Sequence, residues 1–445
     1  MNNAALRYGR LAALLATQVG ALPILVAAQQ DNVPVVTLSE ARRRALAVDP
    51  AAVLARGQLE TTAWEQRAAR VDLLTPNVTA GTSFTRFSEP FINFGTFERT
   101  PNATNAELRA SYTLLGAGKF AELKRARAAV ESAAAGETAS HFRIALMTDA
   151  AYYAVLADRE LARVVAERLK RALEAFGVAR LRVVAGDAIA TDSLQLLLEA
   201  NRARLAILKS DSAVAVSRLR LGRQIGLAGP VDPAALDSAA LPALPITQEQ
   251  AIVEYRTRGP ELEAARAAER QAAARIGVER ESYLPAITVG ATTGAYDAEF
   301  FPSAAKRSQV VVGVSLPIWN AGQRELAVAR ARAQSNVARA QREQHERAAA
   351  EVIAEAYHGY QTARAGVELA QVGVTVATEN FRVQRTRYRE GATTILDLLE
   401  AQVALSEAEA TLVQSRYATR LALARMEALL GRRLVDTPGQ NPTNR

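Results

Sequence analysis

Apolar positions along most of this chain recur every three and four residues, and that rhythm gives way to strict alternation in four places. Val78, Ala80, Thr82 and Phe84 alternate with Thr79, Gly81, Ser83 and Thr85, and Leu108, Ala110, Tyr112 and Leu114 alternate with Arg109, Ser111 and Thr113. Ile287, Val289, Ala291 and Thr293 form one such face later in the chain, and Val310, Val312, Val314 and Leu316 form another. The spacing predicts four strands in two hairpins, with loops near residues 89–105 and 297–306. Each run is about 10 residues long, the length that crosses a bilayer when tilted.

The helical stretches are bounded by proline, which removes a backbone donor and clashes with the preceding turn. No proline lies between Gly118 and Pro230 or between Gly322 and Pro438, and each window is divided by a glycine, Gly186 or Gly391. The pattern predicts an outgoing helix of about 65 residues, a tight turn and a return helix of about 40, so the outgoing helix would run roughly 100 Å. Leu398, Ala401, Leu405, Ala408, Leu412, Ser415, Thr419, Ala422, Met426 and Leu429 give the second return helix a coiled-coil seam. Leu194, Leu198, Asn201, Leu205, Leu208 and Ser212 predict the same seam for the first. Gly136, Gly177, Gly359, Gly366 and Gly373 are expected weak points in the outgoing helices.

These two halves are copies of one another. Phe176, Arg180, Arg182, Gly186 and Asp192 recur as Phe381, Arg385, Arg387, Gly391 and Asp397 at one constant offset, and Gly226 recurs as Gly431. The offset drifts upstream, where Ala41 and Pro50 answer to Ala251 and Pro260, so insertions fall in the segments between. Such a duplication predicts a two-fold repeated architecture, with a first repeat over 37–229, a linker over 230–245, a second repeat over 246–434 and a flexible tail over 435–445.

Residues 1–28 carry Arg7 and Arg10, an apolar run and the ending Val26-Ala27-Ala28, the pattern of a secretory signal peptide. No later run is long and apolar enough for a membrane helix, so a membrane crossing must use the strands. The chain has no cysteine, which excludes disulfides, thiolate metal sites and cysteine nucleophiles. Its net charge is +8, but the basic residues alternate with acids along the helices and predict solvated faces rather than a nucleic-acid surface. Four strands cannot close a membrane barrel, whose smallest examples use eight, so several chains must pool them.

The segment Tyr388-x-x-Gly391-x5-Asp397-Leu398-Leu399-x-Ala401-Gln402, the segment Leu316-Pro317-Ile318-Trp319-Asn320-Ala321-Gly322 and the duplicated hairpins together resemble the TolC-like outer membrane efflux proteins. The resemblance covers the chain from about residue 37 to residue 434. It implies a mixed but mostly α fold: a homotrimer with four membrane strands per chain in a 12-stranded outer membrane β-barrel, above long antiparallel coiled-coil helices forming a periplasmic tunnel. Pro317, Trp319 and Gly322 would mark the descent from barrel to tunnel, with Gly118 the looser match in the first repeat. Asp397 and Glu400, with Asp192, would form the periplasmic gate, although Glu400 stands where relatives carry a second aspartate. Thr393 replaces an arginine that helps lock the tip in some relatives.

Physical chemistry bears on the same residues. Gly186 and Gly391 supply the φ freedom of a tight helix reversal. Asp192 and Asp397 sit where a carboxylate caps a helix or favours its N-terminal dipole, and an acid repeated about a three-fold axis would also make a charged ring. The same resemblance makes the tips, with Gly186, Ala188, Tyr388, Gly391 and Ala392, the expected contact surface for a periplasmic adaptor. His141, His345 and His358 fall mid-helix without metal-ligand spacing and are assigned to packing or solvent, and Glu407 and Glu409 to a solvated face. No nucleophile motif, phosphate loop or dinucleotide fingerprint is present, and nothing calls for a cofactor. The expected function is the passive exit duct of a tripartite efflux pump, joined through an adaptor to an inner-membrane transporter and bounded by outer membrane lipid. Alternatives are the outer membrane channel of a type I protein secretion system and a structural coiled-coil envelope protein.

Overall fold

The computed structural model describes residues 33–435 apart from 93–96, 98, 117, 237–240, 300 and 302–304. The expected signal peptide and all but the first residue of the expected tail lie outside the described residues. Strand β1 (Val35–Val36) precedes α1 (Leu38–Val48), α2 (Pro50–Leu74), β2 (Asn77–Ile92), β3 (Arg99–Leu115), α3 (Lys119–Ala185) and α4 (Ala190–Gln224). After β4 (Asp232–Pro233) the order returns as α5 (Gln248–Arg258), α6 (Pro260–Glu281), β5 (Ala286–Asp297), β6 (Ala305–Ser315), α7 (Gln323–Arg389) and α8 (Ile395–Leu430).

Local chemistry explains where the helices start. Thr37 caps α1, Asp49 caps α2 with Pro50 at its first turn, Thr247 and Gln250 close a capping box on α5, and Pro260 opens α6. The outgoing helices α3 and α7 are 67 residues each and run unbroken through the glycines expected to weaken them. Added Cβ atoms at Gly136, Gly177, Gly359 and Gly373 would meet nothing, so no neighbour enforces a break there.

β2, β3, β5 and β6 form one antiparallel sheet in that order, with β2 and β6 as free edges. Its register places Val78, Ala80, Leu108, Ala110, Val289, Ala291, Val310 and Val312 on one face and Thr79, Arg109, Ser111, Thr288, Thr292 and Gln309 on the other. The edge strand β2 is bare, with every residue but one exposed, whereas most residues of the inner strands β3 and β5 are half-buried. The first hairpin is longer than expected, 16 and 17 residues, and most of the loop assigned to residues 89–105 is strand. Pro90 cannot donate to the ladder, and the register shifts between Arg86 and Phe91 before pairing resumes. The 230–245 segment is not a bare linker, because β4 pairs in parallel with β1 and Asp232 is bound by Arg218.

The helices pack side by side in the order α4, α3, α8, α7. The seam expected for α8 is buried at Leu398, Ala401, Leu405, Leu412, Thr419 and Met426. The seam expected for α4 is corrected: Leu196, Ala200, Ala203, Val214, Ser217 and Leu221 face α3, whereas Leu194, Leu198, Leu205 and Leu208 stay more than half exposed. Both sets follow a heptad, and the small residues of the buried one admit a closer neighbour. Three separate cores result. Two lie where the short helices embrace the long ones, around Tyr152 and Leu221 and around Ile353 and Met426, and the third is at the tip.

Candidate functional site

The two helix reversals are built alike. Asp187 N donates to Arg182 O and Gly186 N to Val183 O, and Ala392 N donates to Arg387 O and Gly391 N to Tyr388 O, so each hairpin ends in a Schellman turn. Gly186 and Gly391 occupy the left-handed region at φ 84° and 75°, as that turn requires. Each turn is also bound by its own arginine: Arg182 donates to Asp187 O and Arg387 to Ala392 O.

The acids of the two repeats differ in role. Thr394 caps α8 and forms a capping box with Asp397, whose Oδ2 also accepts from the Thr393 hydroxyl at 2.8 Å. These bonds, that of Thr394 first, hold the Asp397 carboxyl below its usual range. Thr393, which departs from the arginine of some relatives, therefore orients the gate candidate itself. In the first repeat the N-cap of α4 is Ile189, with no side-chain cap bond, so Asp192 does not complete such a box. It lies instead beside Tyr388, whose phenol is raised first by burial and then by the Asp192 charge. Glu400 is exposed and lines a 540 Å³ groove between α4 and α8, with Arg202 and Glu407.

Tyr388 is the correction among the tip residues. It is 1% exposed, packed with Phe381, Ile395 and Leu398, so it holds the tip together from inside and offers no surface to a partner. Gly186, Gly391 and Ala392 are exposed and Ala188 is half-buried. Arg182 is the residue that sequence reasoning passed over. It bridges the hairpins, donating to Tyr388 O at 2.6 Å and stacking over the Tyr388 ring at 5.0 Å. A Cβ on Gly391 would come within 3.2 Å of its guanidinium, so the turn glycine also makes room for the bridge. Its recurrence as Arg387 was the available signal. Glu409 is corrected too: Arg171 binds it at 2.8 Å and joins α3 to α8.

At the other end, Gly118 and Gly322 cap α3 and α7 in the left-handed region at φ 80° and 77°. Both glycines therefore sit where strand becomes helix, although only the second is followed back to a full Leu316-Pro317-Ile318-Trp319 segment. Trp319 and Ile318 are 79% and 87% exposed at that junction.

The chain matches the model of the outer membrane efflux protein family over residues 43–227 and 251–432. It belongs to that family. Among its relatives, the probable efflux pump outer membrane protein TtgC and the antibiotic efflux pump outer membrane protein ArpC, both of Pseudomonas putida, are each 25% identical over 296 residues. Those alignments cover 65% of this chain and 60% of each relative, less than two thirds of their length. The Campylobacter jejuni CmeC outer membrane channel superposes with a TM-score of 0.78 at 16% identity, covering 90% of this chain and 87% of CmeC. The open state of the Neisseria gonorrhoeae MtrE outer membrane channel gives 0.75 at 20% identity, covering 89% of each chain. This family member therefore has the fold of the outer membrane channels, strands at one end and long helices at the other.

Proposed function

We propose that this protein is the outer membrane exit duct of a tripartite efflux pump, working as a homotrimer that conducts small molecules passively. The observation that carries the reading is the sheet: one face apolar, the other polar, and two edges without partners among the described residues. Lipid suits the first face, water in a lumen suits the second, and only neighbouring chains can satisfy the edges. Exposed Trp319 then stands at the membrane boundary, where aromatic side chains are favoured.

The repeat says how copies would join. Within one chain α3 packs on α8, but the equivalent partners α7 and α4 stand at opposite ends of the helix row. The faces they would use are exposed and apolar: Leu369, Val372 and Val376 on α7, Leu194, Leu198, Leu205 and Leu208 on α4. Both stripes lie within about six turns of the tip, so an antiparallel α7 and α4 from adjacent copies bring them level. Three copies make a ring of helices below a closed barrel. The tips project into the periplasm, where an adaptor linked to an inner-membrane transporter docks on Gly186, Ala188, Gly391 and Ala392. Asp397, Glu400 and Asp192 gate the narrow end.

Reconstitution in planar bilayers tests this. The purified chain should form long-lived channels, and replacing Asp397 and Glu400 together with Ala should raise single-channel conductance and weaken cation selectivity. A folded protein that forms no channel refutes the duct, and an unchanged double variant refutes the gate.

A further inference from the structure

A cavity of 560 Å³ opens where α1 and α2 meet α3 and the end of α8, far from the tip and from the sheet. That volume lies within the range of sites for small organic molecules. Its walls carry Arg42, Arg43, Arg56, Arg432 and Arg433 against only Asp149 and Glu427. Its floor is apolar, made by Leu46, Phe142, Ala145 and Leu146. His141 adds an imidazole whose Nε2 lies 3.7 Å from Glu137 one turn earlier.

The arginines are not all spent on the fold. Arg42 is held by Asp149, which is 1% exposed, while Arg43 and Arg432 bind Glu40 and Glu254 outside the cavity. Arg56 is exposed and has no ion-pair partner among the described residues. Burial pushes the Glu427 carboxyl above its usual range, and the Leu434 amide donates to it, which favours its ionised form.

The second repeat supplies the control. At the matching positions the second repeat has Ile252 and Val253 for Arg42 and Arg43 and Ala354 for Asp149, the first repeat has Leu227 and Ala228 for Arg432 and Arg433, and only Arg56 keeps an arginine counterpart, Arg266. The equivalent helices are thus built without four of the five arginines. Burying an ion pair costs desolvation and often adds no stability over apolar residues, so the buried Arg42 and Asp149 pair has no structural necessity.

We infer that this cavity binds a small amphipathic organic anion, its carboxylate, sulfonate or phosphate among the arginines and its apolar body against Phe142 and Leu146. Arg56 at the rim meets the charge first, since its exposed guanidinium has no ion-pair partner among the described residues. All of its lining residues belong to one chain.

Equilibrium dialysis of the full chain in nanodiscs of neutral lipid, with 2-naphthoate as probe, tests the inference. Naphthoate should saturate at one per chain and bind about tenfold more tightly than 2-naphthalenemethanol, the difference expected when a charge-assisted bond is lost. Acetate, which has the charge without the body, should not compete. Arg56→Ala should weaken naphthoate at least severalfold, and Ala145→Phe, which fills the floor, should abolish it. Should the filled variant misfold, Arg56→Ala at the exposed rim still decides the matter. Equal binding of naphthoate and the neutral alcohol, or naphthoate binding unchanged in folded Arg56→Ala protein, overturns the site. Channel conductance, measured separately, should be unchanged in Arg56→Ala, so the site can fail while the duct stands.

Discussion

At the scale of single residues the two repeats have diverged in ways that their alignment alone does not reveal. Asp192 and Asp397 align, yet only Asp397 has a threonine three residues before it to complete a capping box. Thr394→Ala should therefore cost α8 about 1 kcal/mol at its first turn, read as faster amide exchange there and not at the start of α4. The pH dependence follows from Asp397. Its folded value is depressed, so the stabilisation is fully present above the ordinary carboxylate range and is lost as pH falls through the lower folded value. Thr394→Ala should reduce that acid-side sensitivity, leaving the part that the Thr393 hydroxyl and the residue 394 amide supply. The Arg42 and Asp149 pair makes a sharper test. Asp149→Ala leaves Arg42 buried without its partner and should destabilise the helical domain by about 3 kcal/mol. Adding Arg42→Ile, the second repeat's residue, should recover most of it in thermal unfolding followed by far-UV circular dichroism.

At the scale of elements, heptad spacing identified α4 as a coiled-coil helix but two such seams run along it, and periodicity gives no rule for which one turns inward. Packing settles the matter: Ala200 and Ala203 are buried where α3 packs, and the leucines stay exposed. The intrachain seam between α3 and α8 is polar, with Arg171 on Glu409 and Tyr417 on Glu160, whereas the stripes offered to a neighbour are leucine and valine. Val376→Arg should consequently deplete the trimer in sedimentation while leaving the helix content of the chain intact, because an arginine there would be desolvated without an acid. Trimer formation at wild-type yield would exclude this stripe from the joint between copies.

At the scale of the whole molecule, the sheet and the helix tips do opposite things with exposed surface. The sheet exposes backbone edges and an apolar face, whereas the tips expose small residues around two closed turns, flanked by the apolar side chains of Val184, Ile189 and Leu396. Docking at such tips would depend on shape. Ala188→Trp and Ala392→Trp should lower efflux in cells at normal trimer yield, and normal efflux in both variants would rule out close approach at these positions. A substitution at Tyr388 should behave differently. Its side chain lies in the tip core beneath Arg182, so its loss should loosen the tip of the isolated channel, whether or not an adaptor is present.

The short helices α1, α2, α5 and α6 and the paired strands β1 and β4 were not legible in the sequence, whereas the four membrane-length strands, the two long helix hairpins, the duplication and the family were. Those depend on local periodicity, on where glycine and proline are permitted, and on short motifs, all of which are properties of neighbouring residues. Long helices of 67 residues, four strands and both helix reversals could be located before any contact was known. The tertiary structure decided which of two seams on α4 is internal, that Tyr388 is buried, and that Arg182 joins the two hairpins. It also brought together arginines from α1, α2 and the segment after α8 around one cavity, across nearly the full length of the chain. Each of these depends on residues far apart in sequence meeting in space, and no repeat or period in one chain encodes which of its faces meets another.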